Sequence, residues 1–229
     1  HSHELVVNVG YMYPLFSRLF QEYNNPLIEL AYQIYRNRRS KISIIDVGAA
    51  IGDTLFLLEA NINNLVGPSL CIDGDSEFYG YLKQNVKHFP QVNCVNIMLS
   101  DTEDSYSNEL VRIHSGTASA QGENKIKSTT LDSVLQLNPM AEVDLLKIDV
   151  DGFDGLVLAG AKSVLQNFKP HVIFEWHPIL YSSTNNSSIK PFEILIQLGY
   201  TKFLFFTKYG RFSHLMIEVD FQAIDFLEK

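Results

Sequence analysis

At 229 residues, 46% hydrophobic and 19% charged, the chain is long enough to bury about 70% of its unfolded surface in one core and too short for two full enzyme domains. Lys and Arg total 18 against 26 Asp and Glu, a formal charge of -8, and this field disfavours nucleic acid and membrane as partners. No apolar run has the length of a bilayer span and no secretory leader pattern opens the sequence, so a soluble, cytoplasmic protein is expected.

The opening His-Ser-His reads as a boundary, and His1 and His3 are assigned no function. From Pro14 to Arg39, Leu15, Leu19, Leu27, Leu30, Ile34 and Tyr35 recur at helical spacing and Pro26 divides the stretch. Two short helices are predicted, an N-terminal helical cap over residues 1–40 of a domain whose main part is 41–229. The basic residues Arg36, Arg38, Arg39 and Lys41 suit the negative end of a helix. A phosphate-binding patch is the alternative, against the acidic balance.

Ile42 to Val47 reads as a strand, followed by a Gly-containing turn and a helix over Thr54 to Ala60. The unit repeats with a strand at Ser69 to Asp73 and a helix at Glu77 to His88, then a strand at Val92 to Leu99 and a helix opened by Thr130. A strand at Val143 to Asp149 precedes an Ala- and Leu-rich helix through Leu165, and His171 to Trp176 precedes a helix at Pro191 to Leu198. This alternation implies βαβ units: an α/β fold with a mostly parallel sheet and helices on both faces. Lys202 to Phe206 and His214 to Val219 read as a terminal antiparallel hairpin. Cys71 and Cys94 lie in strand patterns and read as buried, reduced thiols. The Ser182 to Ser188 stretch reads as a flexible polar loop, and the Asn-x-Ser matches at Asn185 and Asn186 carry nothing further.

In such a sheet, ligands bind beyond the carboxyl ends of the strands. The first candidate is Asp46-Val47-Gly48-Ala49-Ala50-Ile51-Gly52-Asp53-Thr54. Gly48 permits a sharp turn and close approach of a ligand, and Gly52 lets helix meet strand. Ala50 and Asp53 stand where a dinucleotide fingerprint needs glycine, and Asp53 puts an anion where a pyrophosphate would sit. The pattern therefore favours a ligand with a cationic part.

The second candidate is Asp73, which ends its strand where a carboxylate can accept both ribose hydroxyls. Its neighbours Asp75 and Ser76 are either ligand contacts or helix caps. The third is Ser100-Asp101, placed for an adenine amino group. The fourth is Lys147-Ile148-Asp149-Val150-Asp151, whose alternate residues share one face by the period of two. Either Lys147 pairs structurally with Asp46 or Asp149, or Asp149 is an acid-base or substrate-orienting group. The fifth is Glu175-Trp176-His177, where His177 is a candidate base. Asp149, Asp151, Glu175 and His177 could also hold a divalent ion, but they lack a characteristic metal-ligand spacing and no metal ligand is assigned.

In order along the chain, Asp46 to Thr54, Cys71 to Asp75 with Leu82 and Asn85 behind it, Leu99-Ser100-Asp101, Thr130-Leu131-Asp132 and Leu145 to Ala161 resemble the FkbM family of class I S-adenosylmethionine-dependent methyltransferases. The resemblance implies a Rossmann-like sheet of seven strands with the last antiparallel. It implies S-adenosylmethionine as cofactor and S-adenosylhomocysteine as product, with the turn Asp46, Gly48, Ala49, Ala50, Gly52, Asp53 and Thr54 around the methionine end. Asp73 and Gly74 would then lie at the ribose, and Ser100 and Asp101 near adenine. Family members often carry Asn at Ala50 and Glu-Pro at Asp73-Gly74. The implied reaction is O-methylation of a sugar or other small hydroxylated metabolite, with His177 as base and Asp149 and Glu175 orienting it or the acceptor.

The N-terminal helices, the Ser182 to Ser188 loop and the hairpin are expected to set acceptor specificity. Tyr11, Tyr13, Trp176 and Tyr181 are either stacking surfaces or ordinary packing. Three alternatives remain open: a non-catalytic binding module on the same fold, a nicotinamide-dependent oxidoreductase, and transfer to a nitrogen in protein or nucleic acid. The missing fingerprint glycines weigh against the oxidoreductase, and the acidic charge against the nitrogen acceptor.

Overall fold

Runs of β-branched and aliphatic residues with no polar alternation are what a sheet covered on both faces requires. A computed structural model describes residues 4–8, 11, 13–114 and 117–227, so His1 and His3 lie outside the described residues. In chain order the elements begin with α1 (Tyr13–Leu19), α2 (Asn25–Arg38), β1 (Ile42–Val47), α3 (Asp53–Asn61), β2 (Val66–Asp73), α4 (Ser76–Val86) and β3 (Val92–Asn96). Next come β4 (Met98–Leu99), β5 (Ser105–His114), β6 (Thr117–Thr129), α5 (Leu131–Leu137), β7 (Leu145–Ile148), α6 (Asp154–Ala159) and α7 (Lys162–Phe168). The chain continues through β8 (His171–Phe174), α8 (Pro178–Ser183), α9 (Lys190–Gln197), β9 (Phe203–Phe206), β10 (Phe212–Met216) and α10 (Phe221–Leu227).

The central sheet is parallel with the order β3-β2-β1-β7-β8. β1 is buried along its whole length. Ile42, Ile44, Cys71 and Leu145 pack under α2, α3 and α4. Ile45, Val47, Ile72 and Ile148 pack under Val157, Leu158, Leu165 and Phe192 of the opposite helical layer. Burying a side chain of this size stabilises by about 1.5–3 kcal/mol.

Helix ends follow the capping rules. Asp75 caps α4, accepting from the N–H groups of Glu77 (2.8 Å) and Phe78 (3.0 Å). The Thr130 hydroxyl caps α5 through the Ser133 N–H. Pro26 stands in the first turn of α2, where its missing N–H costs nothing. At the other end of α2, Arg38 pairs with Glu142 and Asp144, which uses part of the basic run structurally.

Three features differ from the sequence reading. The predicted strand Val92 to Leu99 breaks at Ile97: β3 stays in the parallel sheet, while β4 pairs with β6. The stretch between β4 and α5 forms an antiparallel hairpin, β5–β6, that no apolar alternation announced. The terminal hairpin exists, but β9 and β10 form their own two-stranded sheet, so the parallel sheet has five strands rather than seven. Aromatic packing seats this hairpin in place of ladder bonds. Phe205 stacks on Phe192 with ring centroids 5.8 Å apart and meets Trp176 at 5.9 Å, and Phe203 lies 5.7 Å from Phe192.

The start of the polar stretch 182–188 is the last turn of α8, and Asn186 anchors its middle by donating to the Gly152 carbonyl at 2.9 Å. Cys71 and Cys94 are free thiols, Cys71 buried and Cys94 partly buried. Among the described residues no helix is long and apolar enough to cross a membrane.

Candidate active site

The turn after β1 is built from backbone that only small residues tolerate. Gly48, Ala50 and Gly52 all have positive φ, at 74°, 46° and 86°. A Cβ on Gly48 would fall 1.9 Å from the Asp149 carbonyl oxygen, so the turn passes against the end of β7 with no room for a side chain. Gly48 and Ala49 donate to the Ile72 carbonyl at 2.9 and 3.1 Å, extending the β1–β2 pairing beyond the strand ends.

Asp73, the last residue of β2, holds the turn from the other side. Its Oδ2 accepts from the Ala50 N–H at 2.7 Å and its Oδ1 from the Asp75 N–H at 2.8 Å. Burial pushes this carboxyl up to about 7 against the opposing pull of those two N–H groups. Asn85 of α4, fully buried, donates to the Ile51 carbonyl at 2.8 Å and braces the turn from behind.

Next to the turn lies a buried ion pair. Asp46, 0% exposed, faces Lys147 in the adjacent β1–β7 register, with Lys147 Nζ 3.1 Å from Asp46 Oδ1 and 3.5 Å from Asp149 Oδ2. Burial opposes the Lys147 charge, but Asp46, Asp149 and Asp53 outweigh it and raise the ammonium above its ordinary range. Both pairings considered for Lys147 are therefore made. The other Asp46 oxygen, Oδ2, has no hydrogen-bond partner among the described residues. Asp53 begins α3, and burial, countered by Lys147 and reinforced by Asp46, pushes it up to about 6.

A second acidic group stands at the ends of β7 and β8. β7 closes at Ile148; Asp149 extends its pairing by donating its N–H to the Val47 carbonyl at 3.0 Å, whereas Asp151, with a positive φ of 50°, belongs to the turn that follows. The alternation expected to align both with Lys147 holds only as far as Asp149. Glu175 follows β8, and burial, then Asp149, Asp151 and Asp154, push it up to about 8. The same combination, burial first, takes Asp154 to about 7 and Asp151 to about 6. His177 Nδ1 is buried without a partner, and no described hydrogen bond joins it to Asp149 or Glu175.

One cavity of about 2030 Å³ connects both groups. Gly48, Ala50, Asp53, Thr54, Asp73 and Gly74 line it, together with Asp149, Asp151, Glu175 and His177. Asp46, Ala49 and Gly52 do not line it, and neither do Ser100 and Asp101. In their stretch Ile97, Met98 and Leu99 reach the cavity instead. The Ser100 carbonyl is occupied by packing, since a Cβ on Gly160 would fall 2.2 Å from it. Among the described residues no cluster of His, Cys, Asp and Glu has a geometry that would hold a metal ion.

Of the aromatic candidates, Tyr11 and Tyr13 line the cavity, Trp176 lines it while packed on Phe192, and Tyr181 is buried away from it. Sequence reasoning passed over Tyr23, which also lines the cavity, and Asp154 behind it. Tyr23 sits between two helices where no periodicity marks it; Asp154, in the first turn of α6, carried only the ordinary signal of an acid at a helix start.

These raised carboxyls imply a pH dependence. Native values of about 6 to 8 at Asp53, Asp73, Asp151, Asp154 and Glu175 exceed the values near 4 of an unfolded chain. Between the two the native state binds more protons, so stability is lost as pH rises. The melting temperature of the ligand-free protein is expected to fall steadily from pH 5 to pH 8, with Glu175→Gln flattening the upper part of that slope. A melting temperature that rises over this range would contradict the assignment.

A parallel sheet whose first strand runs into a glycine turn, and whose second ends on a carboxylate bonded to that turn, is the architecture of class I methyltransferases. The profile of the methyltransferase FkbM domain matches residues 46–202, more than half of the chain. The chain belongs to the FkbM methyltransferase family.

One solved structure supports the fold, and others align more distantly. The FkbM methyltransferase from Methylobacillus flagellatus KT aligns with a TM-score of 0.52 at 13% identity, covering 76% of this chain and 42% of that one. The present chain thus spans less than half the length of that relative. Precorrin-6y C5,15-methyltransferase from Geobacter metallireducens GS-15 aligns at a TM-score of 0.42 and 14% identity, over 77% of this chain and 73% of that one. The O-methyltransferase TomG from Streptomyces achromogenes, involved in tomaymycin synthesis, aligns at 0.42 and 9% identity, over 94% and 93%. No curated protein sequence matches at a significant level.

Proposed function

We propose that this chain binds S-adenosylmethionine between the Gly48–Thr54 turn and Asp73 and methylates a hydroxyl of a small acceptor, with sugars the favoured class. The observation that carries this reading is the single cavity joining that turn to Asp149, Glu175 and His177. The residues suit the group. Gly48 has no space for a Cβ against the end of β7, which keeps the turn tight beside the cavity, and Asp46 Oδ2 lacks a partner next to a cavity that would receive a cation.

When bound, the cofactor supplies an electrophilic methyl group on a positively charged sulfur. Asp73 accepts from ribose hydroxyls with the lone pairs its two N–H partners leave free. Beside the turn, Asp149, with its side chain 52% exposed, orients the acceptor. His177 takes the proton that the hydroxyl loses, and Glu175, whose carboxyl is raised to about 8 and so keeps its own proton at neutral pH, orients the acceptor by hydrogen bonding. Alignment by the two walls contributes more than proton removal, since effective molarities of about 10⁵–10⁸ M are known for well-oriented reactions.

Calorimetric titration with S-adenosylmethionine and S-adenosylhomocysteine tests the reading. Wild-type protein is expected to bind both, and Asp73→Asn to bind at least about tenfold more weakly, the scale of one lost charged hydrogen bond. Folded wild-type protein that binds neither ligand would sink the proposal.

A further inference from the structure

The segment ahead of α1 is fastened to the glycine turn at two points. Val6 donates its N–H to Asn85 Oδ1 at 2.8 Å and accepts from Asn85 Nδ2 at 2.9 Å, and the same Nδ2 holds the Ile51 carbonyl inside the turn. Further along the segment, the Tyr11 hydroxyl donates to Asp53 Oδ2 at 3.2 Å. Tyr11 is kept in place by its own N–H on the Asn8 carbonyl and by the Tyr13 ring, 6.2 Å away. Both Tyr11 and Asp53 line the cavity. A half-buried side chain of the cap thus touches the carboxylate of the turn that lines the cavity.

We propose that Tyr11 is a positioning residue for the cofactor: its hydroxyl holds the Asp53 carboxylate as an anion aimed into the cavity, where it meets the positive charge of S-adenosylmethionine. This rests on the cofactor reading above. A hydrogen bond to a carboxylate favours the ionised form, whereas the burial around Asp53 works against it. The groups acting on Asp53 come from several elements: Asp46 from β1, Lys147 from β7, Tyr11 from the N-terminal segment and the N–H of Asp53 itself. Tyr13 of α1 and Tyr23 of the α1–α2 connection also face it. Tyr11 is the neutral side chain that bonds directly to the carboxylate. Its removal leaves the fixed charges unchanged.

The test is affinity for S-adenosylmethionine from pH 5 to pH 8 in wild type, Tyr11→Phe, Asp53→Asn and the double variant. Dividing each background by its own Asp53→Asn partner cancels the titration of Asp73, Asp151, Asp154 and Glu175. The wild-type ratio is expected to grow as pH passes about 6, where Asp53 ionises. In the Tyr11→Phe background the midpoint moves up by about one unit, which makes binding about fivefold weaker at pH 6 and nearly equal at pH 8.

A uniform loss at every pH with an unmoved midpoint would show Tyr11 to be only a structural anchor and overturn the proposal. Asp53→Asn without effect at any pH would overturn it as well. Wild-type protein that binds no S-adenosylmethionine at all would overturn the cofactor reading, and this inference with it.

Discussion

Gly48→Ala is expected to abolish binding of S-adenosylmethionine and to lower the melting temperature by about 10 °C. The new Cβ would lie 1.9 Å from the Asp149 carbonyl oxygen and 2.9 Å from its carbon. Real Cβ atoms do not approach so closely, so either the turn or the β1–β7 junction must move. The φ of 74° adds strain, since left-handed backbone favours glycine. Together these place the substitution at about 3 kcal/mol or more, and each kcal/mol shifts the melting temperature by about 2–4 °C in a domain of this size.

Gly80→Ala is the control. Gly80 lies within α4 and a Cβ there would meet nothing within 4 Å, so the change should stabilise by about 0.5–1 kcal/mol. Differential scanning calorimetry and ligand titration on the two variants check both signs. A Gly48→Ala protein that melts and binds like wild type would show that the turn is not packed as described.

Lys147→Met carries the second large effect. It leaves Asp46, 0% exposed, without the ammonium that lies 3.1 Å from it. Breaking a buried pair by removing one partner costs about 3–5 kcal/mol, because the remaining charge is neither solvated nor paired. The double variant Asp46→Asn/Lys147→Met should recover much of the loss, with a coupling energy of about 2 kcal/mol from urea unfolding. Additive losses would mean that Lys147 acts through its packing rather than its charge.

Because its ammonium is raised above the ordinary lysine range, this contribution is complete at neutral pH and is lost only as pH climbs through the native value. Removal of Lys147 also takes away a cation that holds Asp53 and Glu175 down. The rate profile of the variant is therefore expected to move to higher pH.

Much of this architecture is legible along the chain. β1, β2, β7 and β8 carry the apolar runs of buried parallel strands. Thr130 and Asp75 stand where helix caps belong, and Gly48 and Gly52 where a left-handed turn is needed. The β5–β6 hairpin is not legible, because Ala120-Gln121-Gly122-Glu123-Asn124-Lys125 lacks the alternation that marks a half-buried strand. The terminal hairpin is legible as a hairpin. Its separation from β8 is not, since that depends on where Phe203 and Phe205 pack.

The candidate site divides in the same way. Local backbone preference and hydrophobic period are properties of a few neighbouring residues, so sequence alone determines the βαβ order, the glycine turn and the acid that ends β2. Contacts between residues far apart in the chain have no such signature. Lys147 and Asp46 are 101 positions apart and Tyr11 and Asp53 are 42 apart. Only the folded chain decides that these pairs meet, that Ser100 and Asp101 stay off the cavity wall, and that Tyr23 reaches it. The electrostatics follow from that decision, because a carboxyl such as Glu175 is raised by the burial and neighbouring charges that tertiary packing brings to it.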